Sequence, residues 1–195
     1  KMNELNIPVP KERVDWIKQV QEICTSYKTD FEEVYESDAF PIRPERIVNE
    51  LSNGMPENAI IVVDTGHSGM WMGGMFEKRH EGQSYIRSAG HLGWAFPAAL
   101  GAKCGAPDRP VVCFMGDLGF WYHMAEVETA VRAGINTITI INNNNSGNMG
   151  KDSISNIYDG KPTKASQDIW VQNKINFAKI AEDMGAVGIR IEKAN

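Results

Sequence analysis

Three short segments rich in apolar and β-branched residues place the strongest limit on the fold. They are residues 59–63 (AIIVV), 111–115 (VVCFM) and 136–141 (NTITII), and segments with helical patterns lie between them. Strands that are apolar on both faces are typical of parallel sheets with helices packed on either side. We therefore predict an α/β fold with a doubly wound, mostly parallel sheet and right-handed crossovers.

Apolar periodicity predicts the helices of the chain. The first, at residues 13–27, has apolar side chains on one face and charges on the other, as expected of a helix that links two domains. We therefore assign residues 1–40 to a linker or the end of a central domain, and residues 41–195 to a single domain. Further helices are predicted after Pro44, and at residues 98–103, 122–133 and 175–184.

The C-terminal part of the sequence predicts a long mobile loop and one more strand. Residues 146–172 are polar and contain three glycines and one proline, which is typical of a loop. Residues 187–191 (VGIRI) match a short strand. The sequence stops soon after this strand, without a helix to cover it, so we expect the domain to be truncated at its C-terminus.

Composition argues against nucleic acid and membrane as partners. Asp and Glu number 25 against 20 Lys and Arg, so the net charge of −5 provides no basic surface for phosphate backbones. No apolar run approaches the roughly 20 residues of a membrane-spanning helix, and the polar N-terminus lacks a signal-peptide core. We therefore expect a cytoplasmic protein.

Gly, Asp and Asn concentrate in the loops that follow the predicted strands. Residues 64–69, 116–119 and 142–150 each come directly after a strand, and the Gly-rich residues 88–93 precede the helix near Pro97. Because the carboxyl ends of parallel strands lie at one edge of the sheet, these loops should meet there. This edge is the predicted binding site.

Asp117 and Asn144 are the strongest candidates for metal ligands. They are 27 positions apart and follow two successive strands with one helix between them. A carboxylate and an amide oxygen in this arrangement can share a hard cation, Mg²⁺ or Ca²⁺, whose other ligands are commonly phosphate and water. The backbone amides after Asp117 open a helix and favour a phosphate group. A plain turn and an ordinary Asn-rich loop are the alternative for either motif alone.

Three motifs in this order resemble one enzyme family. The segment GDLGFWYHMAEVETAVRAGINTITIINNNNSGN, at residues 116–148, resembles the thiamine-diphosphate signature, in which GDG-type and NN strand ends bracket an E-x-x-T-A helix. DTGHSGMW at residues 64–71 and GHLGWAFPAA at residues 90–99 resemble the phosphate-side and aminopyrimidine loops of acetolactate-synthase-like enzymes. From about Pro41 onwards, the chain resembles the C-terminal, diphosphate-binding domain of the acetolactate synthase and benzoylformate decarboxylase superfamily, which has a flavodoxin-like fold.

The resemblance implies a binding role for residues in all four loops. The cofactor would be thiamine diphosphate, bound through Mg²⁺ by the side chains of Asp117 and Asn144 and the carbonyl of Ser146. Gly90 would accept a hydrogen bond from the aminopyrimidine ring, and Leu92 would lie beneath the cofactor as the wedge that bends it. The implied cofactor-binding residues are Thr65, Gly66, His67, Ser68, Gly90, Leu92, Gly116, Asp117, Leu118, Gly119, Asn144 and Ser146.

Two departures from the family pattern affect these assignments. Leu118 stands where the signature usually has a small residue, and its side chain crowds a backbone that must approach a phosphate. The run of four asparagines also leaves the metal ligand open by one position, because Asn143 or Asn145 could replace Asn144. Spacing favours Asn144.

The resemblance places the activating glutamate of such enzymes on another domain, usually of a partner subunit, so no catalytic residue is assigned in this chain. The chain should be inactive alone and should act with the remaining domains of the enzyme in a homodimer or tetramer. FAD is possible in the full-length enzyme but has no predicted site in this chain. The implied substrate is a small-molecule 2-oxo acid.

The same resemblance favours an enzyme that decarboxylates or cleaves a 2-oxo acid and transfers the carbanion to an acceptor, as in acetolactate-synthase-like carboligation. Relatives of pyruvate decarboxylase carry a glutamate shortly after the second asparagine, which this chain lacks before Lys151. Three alternatives remain. They are a simple 2-oxo acid decarboxylase domain or subunit, a catalytically inactive assembly or regulatory domain of the same fold, and a flavodoxin-like phosphoryl-handling domain that binds Mg²⁺ without thiamine.

Overall fold

A sheet of four parallel strands forms the centre of the molecule. The computed structural model of the protein describes residues 10–161 and 163–194. Its strands are β1 (Ile60–Val63), β2 (Ser84–Arg87), β3 (Val111–Gly116) and β4 (Ile138–Asn142), in the order β2-β1-β3-β4. The predicted α/β class with a parallel sheet is confirmed, and the strands predicted at residues 59–63, 111–115 and 136–141 correspond to β1, β3 and β4.

Nine α-helices accompany the sheet within the described residues. They are α1 (Lys11–Tyr35), α2 (Pro44–Gly54), α3 (Gly66–Met75), α4 (Ala95–Gly105), α5 (Asp117–His123), α6 (Glu126–Ala133), α7 (Lys151–Ile157), α8 (Lys164–Trp170) and α9 (Phe177–Asp183). Pro44 opens α2, where its missing N–H removes no helical hydrogen bond. None of the helices in this part of the chain is both long and apolar enough to cross a membrane.

Helices cover both faces of the sheet. Along β1, Ile60 and Val62 pack into one apolar cluster, while Ile61 and Val63 pack into a second cluster on the opposite face. The first cluster also contains Phe96 of α4, Phe120 of α5, Val127 of α6 and Phe177 of α9. The second also contains Val48 of α2 and Met72 of α3. This double cover explains the continuous apolar runs, and the predicted doubly wound arrangement is confirmed.

The predicted loop at residues 64–69 is wrong, because a helix begins inside it. Thr65 precedes the first turn of α3, which starts at Gly66. The small residues that indicated a loop serve close packing instead. A methyl group on Gly69 would lie 2.6 Å from the carbonyl oxygen of Asp64, so only glycine allows α3 to turn this tightly away from β1.

Two other predicted segments are also divided differently. The helix predicted at residues 122–133 is two helices: α5 already starts at Asp117 and ends at His123, and α6 begins at Glu126. The loop predicted at residues 146–172 contains α7 and α8. Thr163 and Ser166 form a capping box that starts α8, a local signal that overrides the polar composition.

The ends of the sheet and of the first helix also differ from prediction. β2 was not predicted, and the strand predicted at residues 187–191 is wrong: this segment forms no ladder within the described residues. It lies against α9 instead, where a methyl group on Gly188 would collide with the carbonyl oxygen of Ala178. α1 extends eight residues beyond the predicted C-terminal end, because its last turns pack against the domain, where Lys28 pairs with Glu77.

The strand order creates a topological switch point between β1 and β3. From β1 the chain moves outward to β2, and it then returns to the other side of β1 to form β3. The connections therefore leave β1 and β3 in opposite directions. Parallel sheets bind ligands at such a switch point, outside the carboxyl ends of the strands. We call this side of the sheet the carboxyl edge.

Candidate functional site

Four segments meet at the carboxyl edge. They are the β1–α3 turn (residues 64–68), the 88–93 turn after β2, the β3–α5 turn (residues 116–119) and the β4 loop (residues 143–147). In the register of the sheet, Gly116 at the end of β3 lies opposite Asn142 at the end of β4. The structure therefore brings together the Gly-, Asp- and Asn-rich segments that follow the strands.

Asp117 lies where the β3–α5 turn meets the β4 loop. It is the first residue of α5 and is only 3% exposed. One of its carboxylate oxygens accepts a hydrogen bond from the Leu118 amide at 2.7 Å, and the other accepts one from the Ser146 amide at 3.2 Å. Burial raises the pKa of the Asp117 carboxyl, and the hydrogen bonds from backbone amides partly oppose that rise.

Asn144 is joined to Asp117 through a shared hydrogen-bond donor. Its side-chain oxygen accepts hydrogen bonds from the Ser146 amide at 3.1 Å and from the Ser146 hydroxyl at 2.9 Å. Because the same amide also donates to Asp117, the two side-chain oxygens converge on one N–H group. A carboxylate and an amide oxygen this close are the type of donors that hard cations bind.

The neighbouring asparagines make different contacts. The side-chain amide of Asn143 donates to the Ile175 carbonyl at 2.9 Å, and the side-chain oxygen of Asn145 accepts from the Ile175 amide at 3.4 Å. Asn145 has a φ of 57°, which asparagine tolerates better than most residues. Both side chains fasten the β4 loop to the segment before α9, and Asn143 also accepts from the Asn145 amide within the loop. Asn144 alone of the three shares a hydrogen-bond donor with Asp117.

The β1–α3 turn presents the start of a helix to the carboxyl edge. Thr65 precedes α3, and Gly66, His67 and Ser68 form its first turn, where backbone amides lack partners inside the helix. Gly66 has a φ of 74°, a conformation that favours glycine. The ring centroids of His67 and Trp71 lie 5.6 Å apart, so the imidazole packs along the helix.

Glycines allow the segments to approach one another closely. A methyl group on Gly116 would lie 3.5 Å from the hydroxyl oxygen of Ser68, and one on Gly119 would lie 3.4 Å from a methyl carbon of Leu92. At Gly90, by contrast, a methyl group would have no neighbour within 4 Å. The predicted cofactor-binding residues of three segments therefore lie side by side, with open space above the 88–93 turn.

Leu118 uses both its amide and its side chain in contacts within the protein. Its amide donates to Asp117, and a methyl group on Gly147 would lie 3.1 Å from a methyl carbon of Leu118. The side chain thus packs against the β4 loop. The diphosphate contact predicted for the Leu118 amide requires it to give up its hydrogen bond to Asp117.

Asp64 is a buried residue of the site that the sequence analysis did not assign. It directly follows β1 and has no exposed surface. One carboxylate oxygen accepts a hydrogen bond from the Gly93 amide at 2.9 Å, and the other has no hydrogen-bond partner within the described residues. Burial raises the pKa of this carboxyl. A signal was available, because Asp64 follows β1 just as Asp117 follows β3.

Ser88 folds the turn that carries Gly90 and Leu92. Its buried hydroxyl donates to the His91 carbonyl at 3.0 Å and accepts from the His91 amide at 3.0 Å. The Gly90 amide also approaches this hydroxyl, at 3.5 Å. The shape of the turn is therefore fixed from inside the protein, and its outer side remains accessible.

The donors at the carboxyl edge are suited to one kind of metal. No group of three or more His, Cys, Asp or Glu side chains able to hold a metal ion occurs in the described part of the chain. The candidate ligands are instead one carboxylate, one amide oxygen and one backbone carbonyl. Mg²⁺ accepts such hard oxygen ligands and completes its octahedral shell with phosphate and water.

Comparison with known proteins identifies relatives of this chain. The family described as "Thiamine pyrophosphate enzyme, C-terminal TPP binding domain" matches residues 64–195. The probable acetolactate synthase large subunit of Methanococcus aeolicus is 32% identical over 196 residues, which cover 92% of this chain and 30% of that protein. The sulfoacetaldehyde acetyltransferase of Alcaligenes xylosoxydans xylosoxydans is 28% identical over 153 residues, which cover 77% of this chain and 24% of that protein.

A solved structure shares the fold. The thiamine diphosphate-dependent 4-hydroxybenzoylformate decarboxylase of Rhodococcus jostii RHA1 matches with a TM-score of 0.68 and 26% identity, over 81% of this chain and 29% of that protein. The chain therefore spans 24% to 30% of the length of these three relatives. All three are named as enzymes, and the reactions in their names differ.

Proposed function

Since the chain belongs to the thiamine pyrophosphate enzymes, through their C-terminal TPP-binding domain, we propose that its carboxyl edge binds thiamine diphosphate together with a magnesium ion. Asp117, Asn144 and the carbonyl of Ser146 are the proposed metal ligands. The observation that supports this assignment best is the shared Ser146 amide, to which the side-chain oxygens of both Asp117 and Asn144 are hydrogen-bonded.

The residues at the carboxyl edge suit such a group. The donors are hard oxygens, as Mg²⁺ requires, and the adjoining backbone at Gly66, Gly116 and Gly119 carries no side chain that would obstruct a diphosphate. Two helices, α3 and α5, begin at this edge, so amides of their first turns lack partners inside the helices. These amides and the metal would share the negative charge of the diphosphate.

Each segment of the site has a distinct proposed task. Thr65, Gly66, His67 and Ser68 lie on one side of the diphosphate, and Gly116, Leu118 and Gly119 lie on the other. The carbonyl of Gly90 accepts a hydrogen bond from the aminopyrimidine ring, and Leu92 supports the cofactor from below. When bound, thiamine diphosphate would supply an electron sink that stabilises the negative charge left on the retained substrate carbon when the carbon–carbon bond breaks.

For the reaction, we propose cleavage of a 2-oxo acid followed by joining of the retained carbon fragment to an acceptor. The acetolactate synthase and acetyltransferase names of two relatives support transfer to an acceptor. Simple decarboxylation is the second candidate, supported by the decarboxylase whose structure shares the fold. In either case the activating glutamate is expected on another domain, so this chain alone is expected to be inactive.

The remaining expectations concern the whole enzyme. We propose that the domain acts with further domains and a second subunit in a homodimer or tetramer, in the cytoplasm. The relatives support only the part of this proposal that concerns further domains, because the chain spans 24% to 30% of the length of each relative. FAD, if present in the full-length enzyme, would lie outside this chain.

Calorimetric titration of thiamine diphosphate into this chain tests the proposed function. With Mg²⁺ we expect saturable binding, and with a chelator in place of Mg²⁺ we expect none, because the metal links the diphosphate to Asp117 and Asn144. Equal binding in both solutions would contradict the metal assignment. Absence of binding in both would contradict the proposed site.

Exchanging single asparagines tests which one binds the metal. We expect Asn144→Ala to lower the affinity for thiamine diphosphate in Mg²⁺ at least about tenfold, because it removes a proposed metal ligand. Asn143→Ala is the matched control: it removes two hydrogen bonds of the same loop, to the Ile175 carbonyl and from the Asn145 amide, and should change affinity less than about threefold. The opposite ranking of the two variants would assign the metal to Asn143.

A further inference from the structure

We propose that Asp64 is a positioning residue that holds the 88–93 turn against the first turn of α5. This inference rests on the proposed function, because the two elements carry the residues assigned to opposite ends of thiamine diphosphate. Leu92 and Gly90 in the turn would contact the rings, and Gly119 in α5 would contact the diphosphate. Asp64 would therefore set the spacing of the two half-sites.

Asp64 contacts both elements directly. Its carboxylate accepts a hydrogen bond from the Gly93 amide at 2.9 Å, across 29 positions of sequence. A methyl group on Gly119 would collide with the same carboxylate oxygen. One buried oxygen atom therefore touches the residue after Leu92 and the third residue of α5.

Gly93 leaves no free space between the turn and the helix. It has a φ of 87°, and a methyl group there would lie 2.8 Å from both the Gly119 carbonyl oxygen and the β-carbon of Tyr122. The turn thus lies directly on α5, against the Gly119 carbonyl and the side chains of Tyr122 and His123. A small displacement of the Gly93 amide would move Leu92 relative to α5, where a methyl group on Gly119 would lie 3.4 Å from a methyl carbon of Leu92.

Burying the Asp64 carboxylate costs free energy, and packing alone does not require an aspartate at this position. Its second carboxylate oxygen has no hydrogen-bond partner, and no Lys or Arg forms an ion pair with it in the ranges that the structure describes. Burying an unpaired carboxylate oxygen is unfavourable, and an apolar side chain would fill the same position without that cost. The clearest advantage of an aspartate here is that it provides a hydrogen-bond acceptor for the Gly93 amide.

The first test measures the turn without any cofactor. In native-state hydrogen exchange by NMR, we expect the Gly93 amide to exchange at least about tenfold faster in Asp64→Ala than in the unaltered chain, since its acceptor is lost. Asp64→Asn keeps an acceptor oxygen of the same shape and should restore slow exchange. Fast exchange in Asp64→Asn, or slow exchange in Asp64→Ala, would overturn the proposal.

The second test compares two ligands in the presence of Mg²⁺. Thiamine diphosphate would contact both elements, whereas inorganic pyrophosphate would contact only the diphosphate half. We expect Asp64→Ala to lower the affinity for thiamine diphosphate about tenfold and the affinity for pyrophosphate less than about twofold. Both affinities of Asp64→Asn should be close to those of the unaltered chain. Equal weakening of both ligands would indicate general loss of structure and would overturn the positioning role.

A matched control separates this role from loss of a buried polar group in general. Gln83 is 2% exposed, and its side-chain oxygen accepts from the Arg79 and His80 amides at 3.0 and 3.3 Å, before β2 and away from the carboxyl edge. Gln83→Ala should leave Gly93 exchange and both affinities unchanged. If Asp64→Ala loses the protected amides of β3, Asp64→Ser replaces it, because the shorter hydroxyl does not reach Gly93.

The outcomes distinguish this inference from the proposed function. If the unaltered chain binds neither ligand, the proposed function fails, while the exchange of Gly93 still decides whether Asp64 holds the turn. If the unaltered chain binds both ligands and Asp64→Ala behaves like it in exchange and affinity, the inference fails and the proposed function stands.

Discussion

Replacing Asp117 with alanine should abolish magnesium-dependent binding of thiamine diphosphate, with a loss of affinity of at least about 100-fold. The variant loses the only carboxylate among the proposed metal ligands. It also leaves the Leu118 amide without its acceptor beside a buried position, while the Ser146 amide keeps only Asn144. Calorimetric titration with Mg²⁺ measures the effect, and a chelator defines the metal-independent baseline.

Two further variants make the Asp117 result interpretable. Asp117→Asn keeps the shape of the side chain and an acceptor oxygen for the Leu118 amide, and the Ser146 amide still has Asn144 as an acceptor, so the variant should retain the fold. It should still lose most metal-dependent affinity, because the amide oxygen carries no charge. Asp152→Ala removes an exposed carboxylate from the first turn of α7 and should bind like the unaltered chain. Metal-dependent binding by Asp117→Ala at full strength would show that the metal site lies elsewhere.

Replacing Gly119 with alanine should damage both the stability of the fold and the binding site. The added methyl group would collide with the Asp64 carboxylate, which is fully buried and hydrogen-bonded to Gly93 and so has no room to move. Overpacking of this kind costs about 1–3 kcal/mol in the free energy of unfolding. For a chain of this size, such a loss lowers the melting temperature by about 2–12 °C. Thermal unfolding followed by circular dichroism measures it.

Gly101 in α4 provides the matched control for Gly119. Both glycines lie inside helices, but a methyl group on Gly101 would have no neighbour within 4 Å. Gly101→Ala should therefore raise the free energy of unfolding by about 0.5–1 kcal/mol, the usual gain in an exposed helix interior. If Gly119→Ala melts at the temperature of Gly101→Ala, Asp64 does not press against α5 as the structure indicates.

Local patterns predicted the framework of the fold well. The runs that became β1, β3 and β4 are apolar on both faces, and only burial between two helical layers satisfies such runs. The family resemblance is also confirmed by the match over residues 64–195. β2 escaped prediction because its side chains are mostly exposed, so the segment shows no apolar run.

Local composition predicted the wrong secondary structure in two segments where tertiary contacts determine it. Residues 187–191 alternate as a strand does, yet a strand also requires a neighbouring strand to bond, and this segment lies on α9 instead. Gly66, Ser68 and Gly69 suggested a loop, but they are small because α3 turns closely against β1. Small residues therefore occur both in loops and at the start of a closely packed helix, and composition alone does not distinguish the two.

The sequence by itself determined the class of fold, because apolar periodicity is a local property of the chain. From the composition of the strand ends, which is also local, it predicted the edge at which a site would form and the chemical types of ligand. Only the tertiary structure decided which asparagine stands beside Asp117 and what Asp64 contacts. Those contacts join residues 29 positions apart, Asp64 to Gly93 and Asp117 to Ser146. They depend on the order of the strands and on which amides remain unpaired when the sheet is assembled, and no local pattern encodes either.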